Sequence, residues 1–129
     1  MEWVFKDYGN EPCKTPYIKP RCIIVCMMAV LLVTYPRTGN YMEWCRSLVE
    51  RKLAACVNIV EVKSFYRWEG RVEEDDEVLL VMKTGAGRVQ DLKETVAREH
   101  PYKVPSIVEL NPVDVSKPYL EWVLESTRA

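Results

Sequence analysis

His100 is the only histidine in this chain of 129 residues, and it lies in the segment "EHPYKVP" at positions 99–105. A neutral imidazole is the commonest protein ligand of transition metals and suits copper, nickel and zinc. A closed metal site usually needs four ligands, of which one histidine supplies one. Two interpretations therefore stand side by side. Either His100 binds a divalent ion weakly, or it ends a helix, favourably placed at the C-terminus of that helix, and packs between subunits.

A second group of candidate residues consists of Tyr66, Trp68 and Lys83, which the sequence places on adjacent strands of one predicted hairpin. Together with His100 and Tyr102 of the same or a neighbouring subunit, they would line a cleft. Aromatic rings with one cation and one imidazole suit a small anionic ligand. The alternative is an aromatic interface between subunits, because Trp and Tyr bury a large area and still offer a polar atom. The two interpretations are compatible, since clefts in oligomers are common ligand sites.

The other reactive residues do not predict an enzyme. The five cysteines fit no zinc or redox spacing, and Cys45 and Cys56 are expected to be reduced core residues. The acidic run "EEDDE" at 73–77 is predicted to be a solvated hairpin tip, because adjacent strand residues point to opposite faces. Ser-His-Asp, HExxH and paired-carboxylate arrangements are not visible. We therefore predict a non-catalytic protein with no certain cofactor.

The composition limits which kinds of partner and which cellular compartment we expect for this protein. Lys plus Arg is 18 and Asp plus Glu is 19, so the chain lacks the basic excess of a nucleic-acid-binding protein. The longest apolar run, residues 22–33, is shorter than the roughly 20 residues that a membrane-spanning helix needs. Reduced cysteines are typical of the cytosol. The predictions are a cytoplasmic protein with no nucleic-acid partner and no membrane association.

The elements that must position these residues follow from the hydrophobic pattern. Short apolar, β-branched runs predict strands, and apolar stripes at helical spacing predict helices. In chain order the predicted elements are strand 29–35, helix 41–54, strand 56–68, strand 77–84, helix 85–99, strand 106–113 and a last helix from 116. Residues 1–27 are predicted to be an extension, irregular or foreign to the functional unit, before a domain at 28–129. Met27 and Met28, directly before the strand, offer an alternative start of translation.

The order β-α-β-β-α-β with a final helix predicts the ferredoxin-like arrangement, an α+β fold with an antiparallel sheet. Right-handed crossovers place both main helices on one face of that sheet. The runs "AVLLV" and "VLLVM" are continuously apolar, as in strands buried on both faces. The chain has little left over to cover the second face. We therefore predict that copies of the chain cover it, in a cyclic oligomer.

The sequence resembles the CutA divalent-cation tolerance family across about residues 29–128. The segments that carry the resemblance are "LVTYP", "LVERKLAACVNIV", "SFYRWEGRVEEDDEVLLVMKT", "HPYKVPSIVEL" and "YLEWVLEST". The resemblance implies a ferredoxin-like fold, a tight homotrimer and a role in tolerance to copper and other divalent metals. The shape of the family is similar to that of the trimeric PII signalling proteins.

The resemblance also bears on the metal ligands. Family members proposed to bind copper are similar to this chain at His-Pro-Tyr, but some have a second histidine where this chain has Glu99 and a cysteine where it has Val33. The carboxylate of Glu99 is still able to bind a divalent ion. The resemblance therefore implies a weak site for Cu(II) or another divalent metal at His100 and Glu99.

Three functions follow from these observations for a trimeric, non-enzymatic protein. The first is divalent-metal tolerance through weak metal binding. The second is a PII-like sensor that binds a small anionic ligand in an intersubunit cleft. The third is a scaffold that binds another protein. Metal titration would separate the first of these from the others.

Overall fold

A computed structural model describes residues 27–129, so the predicted extension lies outside the described residues except for Met27. The domain is built from four strands and three α-helices. The strands are β1 (Met28–Pro36), β2 (Cys56–Trp68), β3 (Arg71–Gly85) and β4 (Ile107–Leu110), and the helices are α1 (Tyr41–Glu50), α2 (Val89–Glu99) and α3 (Lys117–Ser126). A short 3-10 helix, Ala86–Arg88, leads into α2. The predicted α+β, ferredoxin-like order with an added helix is confirmed.

The strands form one antiparallel sheet in the order β2-β3-β1-β4. β1 pairs with β3 from Met28↔Gly85 to Pro36↔Glu77. β4 is much shorter and pairs with β1 only over Val30–Val33. Both edges, along β2 and β4, therefore have no strand partner within the part of the chain that the structure describes.

The main core lies between one face of the sheet and the helices α1 and α2. Alternate residues of β1 and β3 point to this face, including Leu31 and Leu80, which are fully buried. They pack against Leu48 of α1 and Leu92 and Val96 of α2. Burial of one such side chain stabilises the fold by about 1.5–3 kcal/mol. Both main helices lie on the same face, as the handedness of the crossovers predicts.

Helix α3 covers one end of the second face of the sheet. The sequence analysis expected other copies of the chain, and not this chain, to cover that face. Leu120 and Val123 of α3 are fully buried, and they form a smaller core with Met28 and Ala55. At Gly85, an added Cβ would lie 2.9 Å from the Thr127 hydroxyl, so the helix end and the strand are in close contact there. The rest of this face stays open: Val60, Val108 and Leu110 are 47–49% exposed.

The β2–β3 hairpin is longer than predicted. β2 ends at Trp68 and β3 begins at Arg71, so the turn is only Glu69 and Gly70, with φ of 50° and 82°. Such a turn of two left-handed residues matches the twist of a hairpin, and its second position favours glycine. The acidic run 73–77 therefore lies within β3 rather than at a solvated tip, and that prediction was wrong in its location.

We use the name arm for the part of this hairpin beyond β1, from Lys63↔Asp76 to Trp68↔Arg71. Residues of the arm pair only with each other, since the β1–β3 ladder stops at Glu77. Lys63 on one side of the arm lies 3.4 Å from a Glu74 carboxylate oxygen and 2.9 Å from an Asp76 one. These cross-strand ion pairs hold part of the acidic run on the face that carries the helices.

The first helix is shorter than the predicted 41–54. It ends at Glu50, and Lys52 adopts a left-handed φ of 61° that stops the helical hydrogen bonding. Leu53 is still buried, because the amide of this residue binds the Leu48 carbonyl and holds the loop against the core. The second helix ends at Glu99 as predicted, since His100 precedes a proline and is extended, with ψ of 142°.

Candidate functional site

His100 lies at the C-terminal end of α2, and its ring is almost entirely buried at 7% exposure. Its Nε2 atom lies 2.7 Å from the carbonyl oxygen of Thr34 in β1. Its Nδ1 atom accepts a hydrogen bond of 3.0 Å from the backbone N–H of Tyr102. A carbonyl oxygen only accepts and an amide only donates, so the two contacts together assign the neutral tautomer with the proton on Nε2.

Aromatic rings surround the imidazole. The rings of Tyr35 and Tyr102 each lie 5.0 Å from it, centroid to centroid, and Trp44 lies 6.2 Å away at nearly a right angle. Val33, which the sequence analysis compared with a possible third ligand position, is fully buried in the main core. His100 therefore ends α2, as one interpretation expected, and it is buried within a single chain, whereas that interpretation placed its ring between subunits.

Glu99 has other partners. Its carboxylate accepts a hydrogen bond of 2.9 Å from the Trp44 indole N–H and bonds of 3.2 and 3.0 Å from the Arg51 guanidinium. The Arg51 bonds first, and then the Trp44 bond, hold the pKa of the Glu99 carboxyl below its usual value. Within residues 27–129, no group of three or more His, Cys, Asp or Glu side chains is arranged to hold a metal ion. His100 and Glu99 are thus neighbours in sequence whose side chains bind different parts of the fold.

Three of the predicted cleft residues do come together. Tyr66, Trp68 and Tyr102 line one cavity of about 620 Å³, on the open face of the sheet between the arm and the loop that follows α2. The other lining residues are Thr34, Ser64, Phe65, Glu77, Pro101, Lys103, Val104 and Ser106. His100 lies behind Tyr102 and does not line the cavity.

Lys83 is not part of this cavity within one chain. It pairs with Val30 of β1 and with Cys56 of β2, near the opposite end of the sheet. Its ammonium lies 5.6 Å from the centre of the Tyr119 ring on α3, a cation–π contact at the limit of the useful range. The predicted constellation is therefore divided between two ends of the sheet.

One acidic residue that the sequence analysis did not assign to the cavity, Glu77, lines it, and two further carboxylates lie near Glu77 on the same strand. Glu77 is 4% exposed, and its Oε2 atom accepts a hydrogen bond of 2.8 Å from the Tyr102 hydroxyl. The Tyr66 hydroxyl donates to the Asp75 carboxylate in the same way. Glu73, Asp75 and Glu77 alternate along β3 and share the open face. Extending the third strand back to Arg71 would have revealed this alternation.

The pKa of both phenols is raised above its ordinary value in this environment. The hydrogen bond to Asp75 is the largest cause that raises the pKa of Tyr66, to about 12. Burial is the main cause for Tyr102, whose pKa is also raised by the bond to Glu77. Each phenol therefore acts as a hydrogen-bond donor to a carboxylate throughout the physiological pH range.

The two described cysteines are free thiols. Cys45 is buried in the main core, and burial raises the pKa of its thiol to about 11. Cys56 is half-buried at the first position of β2, and its Sγ lies 3.5 Å from the Asn58 side-chain oxygen. The core position predicted for Cys45 is confirmed, whereas Cys56 lies at the margin of the fold.

Comparisons with known proteins find matches that extend over almost all of the described domain. Residues 29–126 match the model of a family described as CutA1 divalent ion tolerance protein. A divalent-cation tolerance protein CutA from Thermus thermophilus is 45% identical over 102 residues, which cover 78% of this chain and 99% of that one.

Solved structures of proteins with the same description have the same fold as this chain. A Thermus thermophilus divalent cation tolerance protein superposes with a TM-score of 0.74 at 45% identity, covering 79% of this chain and 100% of that one. An Archaeoglobus fulgidus structure, described as a periplasmic divalent cation tolerance protein CutA, has a TM-score of 0.75 at 31% identity, covering 79% and 100%. Among the helices of residues 27–129, none has the length and apolar character needed to cross a membrane.

Proposed function

Because the chain belongs to the CutA1 divalent ion tolerance family, we propose that it acts in divalent-metal tolerance as a non-catalytic homotrimer that binds an ion such as Cu(II) weakly. His100 is the principal ligand in this proposal, and Glu99 is the second. The supporting observation is the tautomer of His100. Its Nε2–H donates to the Thr34 carbonyl, so the basic lone pair lies on Nδ1.

A metal-ligating histidine commonly donates its other ring N–H to a backbone carbonyl, which fixes the ring and raises its basicity. The Thr34 bond has this form. To bind a metal, Nδ1 must give up the hydrogen bond from the Tyr102 amide. That exchange leaves a partly buried N–H unpaired, at a cost of up to about 1–3 kcal/mol, and it makes the binding weak.

Glu99 adds a second cost. Its carboxylate must leave Arg51 and Trp44 before it can join a metal at His100. The Arg51 pair is partly exposed, with side chains 40% and 30% accessible, so the cost of separation is at most about 1 kcal/mol. The residue is therefore available to a divalent ion, although it is not preorganised for one.

The open face of the sheet supports the homotrimer. Val60, Val108 and Leu110 leave apolar surface exposed beside the two unpaired edges of the sheet. Exposed apolar surface next to strand edges favours association, because it buries apolar area and pairs free backbone groups. A closed cyclic arrangement covers the face on every copy alike.

Calorimetric titration with Cu(II) at pH 7.5 tests the metal-binding proposal. We expect weak binding by the wild-type protein, loss of most of it in His100→Ala, and a smaller loss in Glu99→Gln. A Lys103→Ala variant, altered at an exposed position in the same loop, should bind as the wild type does. Equal binding by wild type and His100→Ala would contradict the proposal.

A second role is favoured by the cavity between the arm and the loop after α2. The cavity falls within the usual size range of ligand pockets, about 300–1,000 Å³. It supports the proposal of a small-molecule sensor of the PII-like type. In such a sensor, the residues that line the cavity select the charge of the ligand. The third role, a protein-binding scaffold, rests on the same exposed apolar residues as the homotrimer.

The cytoplasm is the proposed compartment. The support is chemical: the described cysteines are free thiols, as is usual in a reducing environment. A relative from Archaeoglobus fulgidus is described as periplasmic, which is the alternative compartment. Fractionation of cells that express the full chain tests this proposal.

A further inference from the structure

The base of the arm is the point at which the sheet narrows to the two strands of the hairpin. The β1–β3 ladder ends at Pro36↔Glu77, and the arm begins at the next pair of the hairpin, Lys63↔Asp76. A two-stranded ribbon is at best marginally stable in water. The direction in which the arm leaves the sheet therefore depends on the contacts at its base.

Arg37, the first residue after β1, crosses this base. Its Nη2 atom donates to the carbonyl oxygen of Val62 at 2.7 Å and to that of Glu77 at 3.3 Å. Its backbone N–H donates to the carbonyl oxygen of Asp76 at 3.4 Å. Val62 and Glu77 form the last pair before the arm, and Asp76 belongs to the first pair of the arm. One residue at the end of β1 thus binds both strands of the hairpin where the arm starts.

The contact with Val62 joins two strands that are not neighbours in the sheet. β3 lies between β1 and β2, so Arg37 connects strands that share no backbone pairing. Arginine suits this role, because its planar guanidinium holds several donors in a fixed arrangement and stays charged at physiological pH. A hydrogen bond from a charged donor is also stronger than one from a neutral donor. The Arg37 side chain therefore holds the base of the arm to β1 across the width of the hairpin.

This position of the side chain has a cost. The Nε atom of Arg37 is buried and has no hydrogen-bond partner among residues 27–129, and a buried N–H without a partner is unfavourable. The guanidinium nevertheless stays at the arm base. Lys63 lowers the pKa of the Asp76 carboxyl most, through a hydrogen bond and its charge, and the nearby charge of Arg37 lowers it further. The contacts of Arg37 with the hairpin thus outweigh the unpaired Nε atom.

From this arrangement we propose that Arg37 is a positioning residue that fixes the direction of the arm before the chains meet. The inference rests on the proposed homotrimer, in which the arm is part of the contact between copies. A segment that is already ordered loses less entropy on association, and association is slower when a conformational change must come first. Arg37 therefore acts on the rate at which chains associate more than on the folding of one chain.

Refolding at several micromolar chain concentrations separates these two steps. The rate of folding of one chain does not depend on concentration, whereas the rate of association rises with it. Tryptophan fluorescence follows the first step, and chemical cross-linking at timed intervals follows the second. Arg37→Met keeps the apolar stem of the side chain and removes its donors. We expect association roughly tenfold slower in this variant, since the loss of one hydrogen bond from a charged donor changes an equilibrium by at least about that factor.

Two further variants identify the cause. Arg46→Met makes the same change at an exposed position on α1, away from the arm, and should associate as the wild type does. Arg37→Lys keeps the charge but has one donor nitrogen in place of the fork, and association should stay at least roughly threefold slower than in the wild type. If Arg37→Met does not fold, the lysine variant provides the test. A full return to the wild-type rate in Arg37→Lys overturns the proposal.

Pulse-labelled hydrogen exchange, applied after chains fold and before they associate, reports on the arm itself. Amides at its base, within 62–66 and 73–77, should exchange about tenfold faster in Arg37→Met, while those of β1 exchange as in the wild type. Unchanged exchange at the base, or unchanged association in chains that do form trimers, overturns this inference alone. A wild type that stays monomeric contradicts the homotrimer and, with it, the role of Arg37 in association.

Discussion

The Nε2 atom of His100 lies 2.7 Å from the carbonyl oxygen of Thr34, a residue 66 positions earlier in the chain. β4 pairs with β1 only as far as Val33, and His100 binds the next carbonyl along β1. The His100 side chain thus provides a hydrogen-bond partner for the edge of β1 one residue beyond the end of its pairing with the short strand β4. The same ring accepts the Tyr102 amide, so one histidine joins α2, β1 and the cavity loop.

Replacing His100 with alanine should therefore lower the free energy of unfolding. The change removes two hydrogen bonds and leaves the Thr34 carbonyl and the Tyr102 amide without these partners, and an unsatisfied buried group costs about 1–3 kcal/mol. Chemical denaturation of wild type and His100→Ala measures the difference. Lys103→Ala, at an exposed position nearby, should change stability by no more than about 0.5 kcal/mol. Equal stability of wild type and His100→Ala would show that the ring contributes no structural support.

The contribution of Glu99 to stability should depend on pH. Arg51 and Trp44 lower its pKa in the folded protein, so the stabilisation is present above the unfolded pKa, about 4.3, and is lost as pH falls through the lower folded value. The Arg51–Glu99 pair is 40% and 30% exposed, so the effect is at most about 1 kcal/mol. Urea denaturation should show Glu99→Gln less stable than wild type at pH 7 and nearly equal to it at pH 3.

An exposed acidic residue of α3 serves as the control for that series. Glu121→Gln should be as stable as wild type at both pH values, since Glu121 is exposed. A Glu99→Gln difference that is the same at pH 7 and pH 3 would rule out the loss of charge as its cause.

The open face of the sheet leads to a prediction about assembly. Wild type should sediment at about three times the chain mass of 15.0 kDa. Val108→Lys places a charge on the open face and should shift the protein toward monomer, because an unpaired charge is costly to bury in an interface. Met42→Lys makes a comparable change on α1, where Met42 is 65% exposed, and should leave the assembly intact. A wild-type protein that sediments as a monomer at micromolar concentration would contradict the assignment of this face to an interface.

Deletion of residues 1–26 should leave the melting temperature and the assembly nearly unchanged. β1 begins at Met28, and Met27, which the deletion retains, accepts the Ala86 amide through its carbonyl at 2.8 Å. The check is calorimetric melting and sedimentation of full-length and shortened chains side by side. A fall of the melting temperature by more than about 4 °C would mean that residues before Met27 contribute roughly 1 kcal/mol or more to the fold.

The fold was largely predictable from the hydrophobic pattern. The bounds of β2 match the expected 56–68, and the helix before Pro101 ends at Glu99 as expected. The early end of α1 was not predictable in this way, because Leu53 keeps the apolar spacing while Lys52 leaves the helical conformation. Periodicity reports which residues are buried, and a buried loop residue is able to satisfy it as well as a helical one.

The candidate site was less predictable, and the reason lies in β3. The charges at 73–77 suggested a turn, since charged runs are usually solvated, but β2 supplies partners for them: Lys63 on one face and Tyr66 on the other. Which carboxylate meets which partner depends on register across the hairpin, and that register follows from the two-residue turn at Glu69 and Gly70. The placement of Glu77 beside Tyr102 depends further on the loop after α2 and has no local signal in the sequence.

The length of the arm has a consequence for the order in which the protein folds. A two-stranded ribbon is at best marginally stable in water, and the arm pairs with no third strand within residues 27–129. The sheet and the helices are able to form first, from contacts within one chain, while the end of the hairpin gains lasting order when chains meet. Refolding should then show a phase whose rate rises with protein concentration, after a phase that does not depend on it. Hydrogen exchange should detect the same division, with slow exchange in β1 and fast exchange near Gly70 until association is complete.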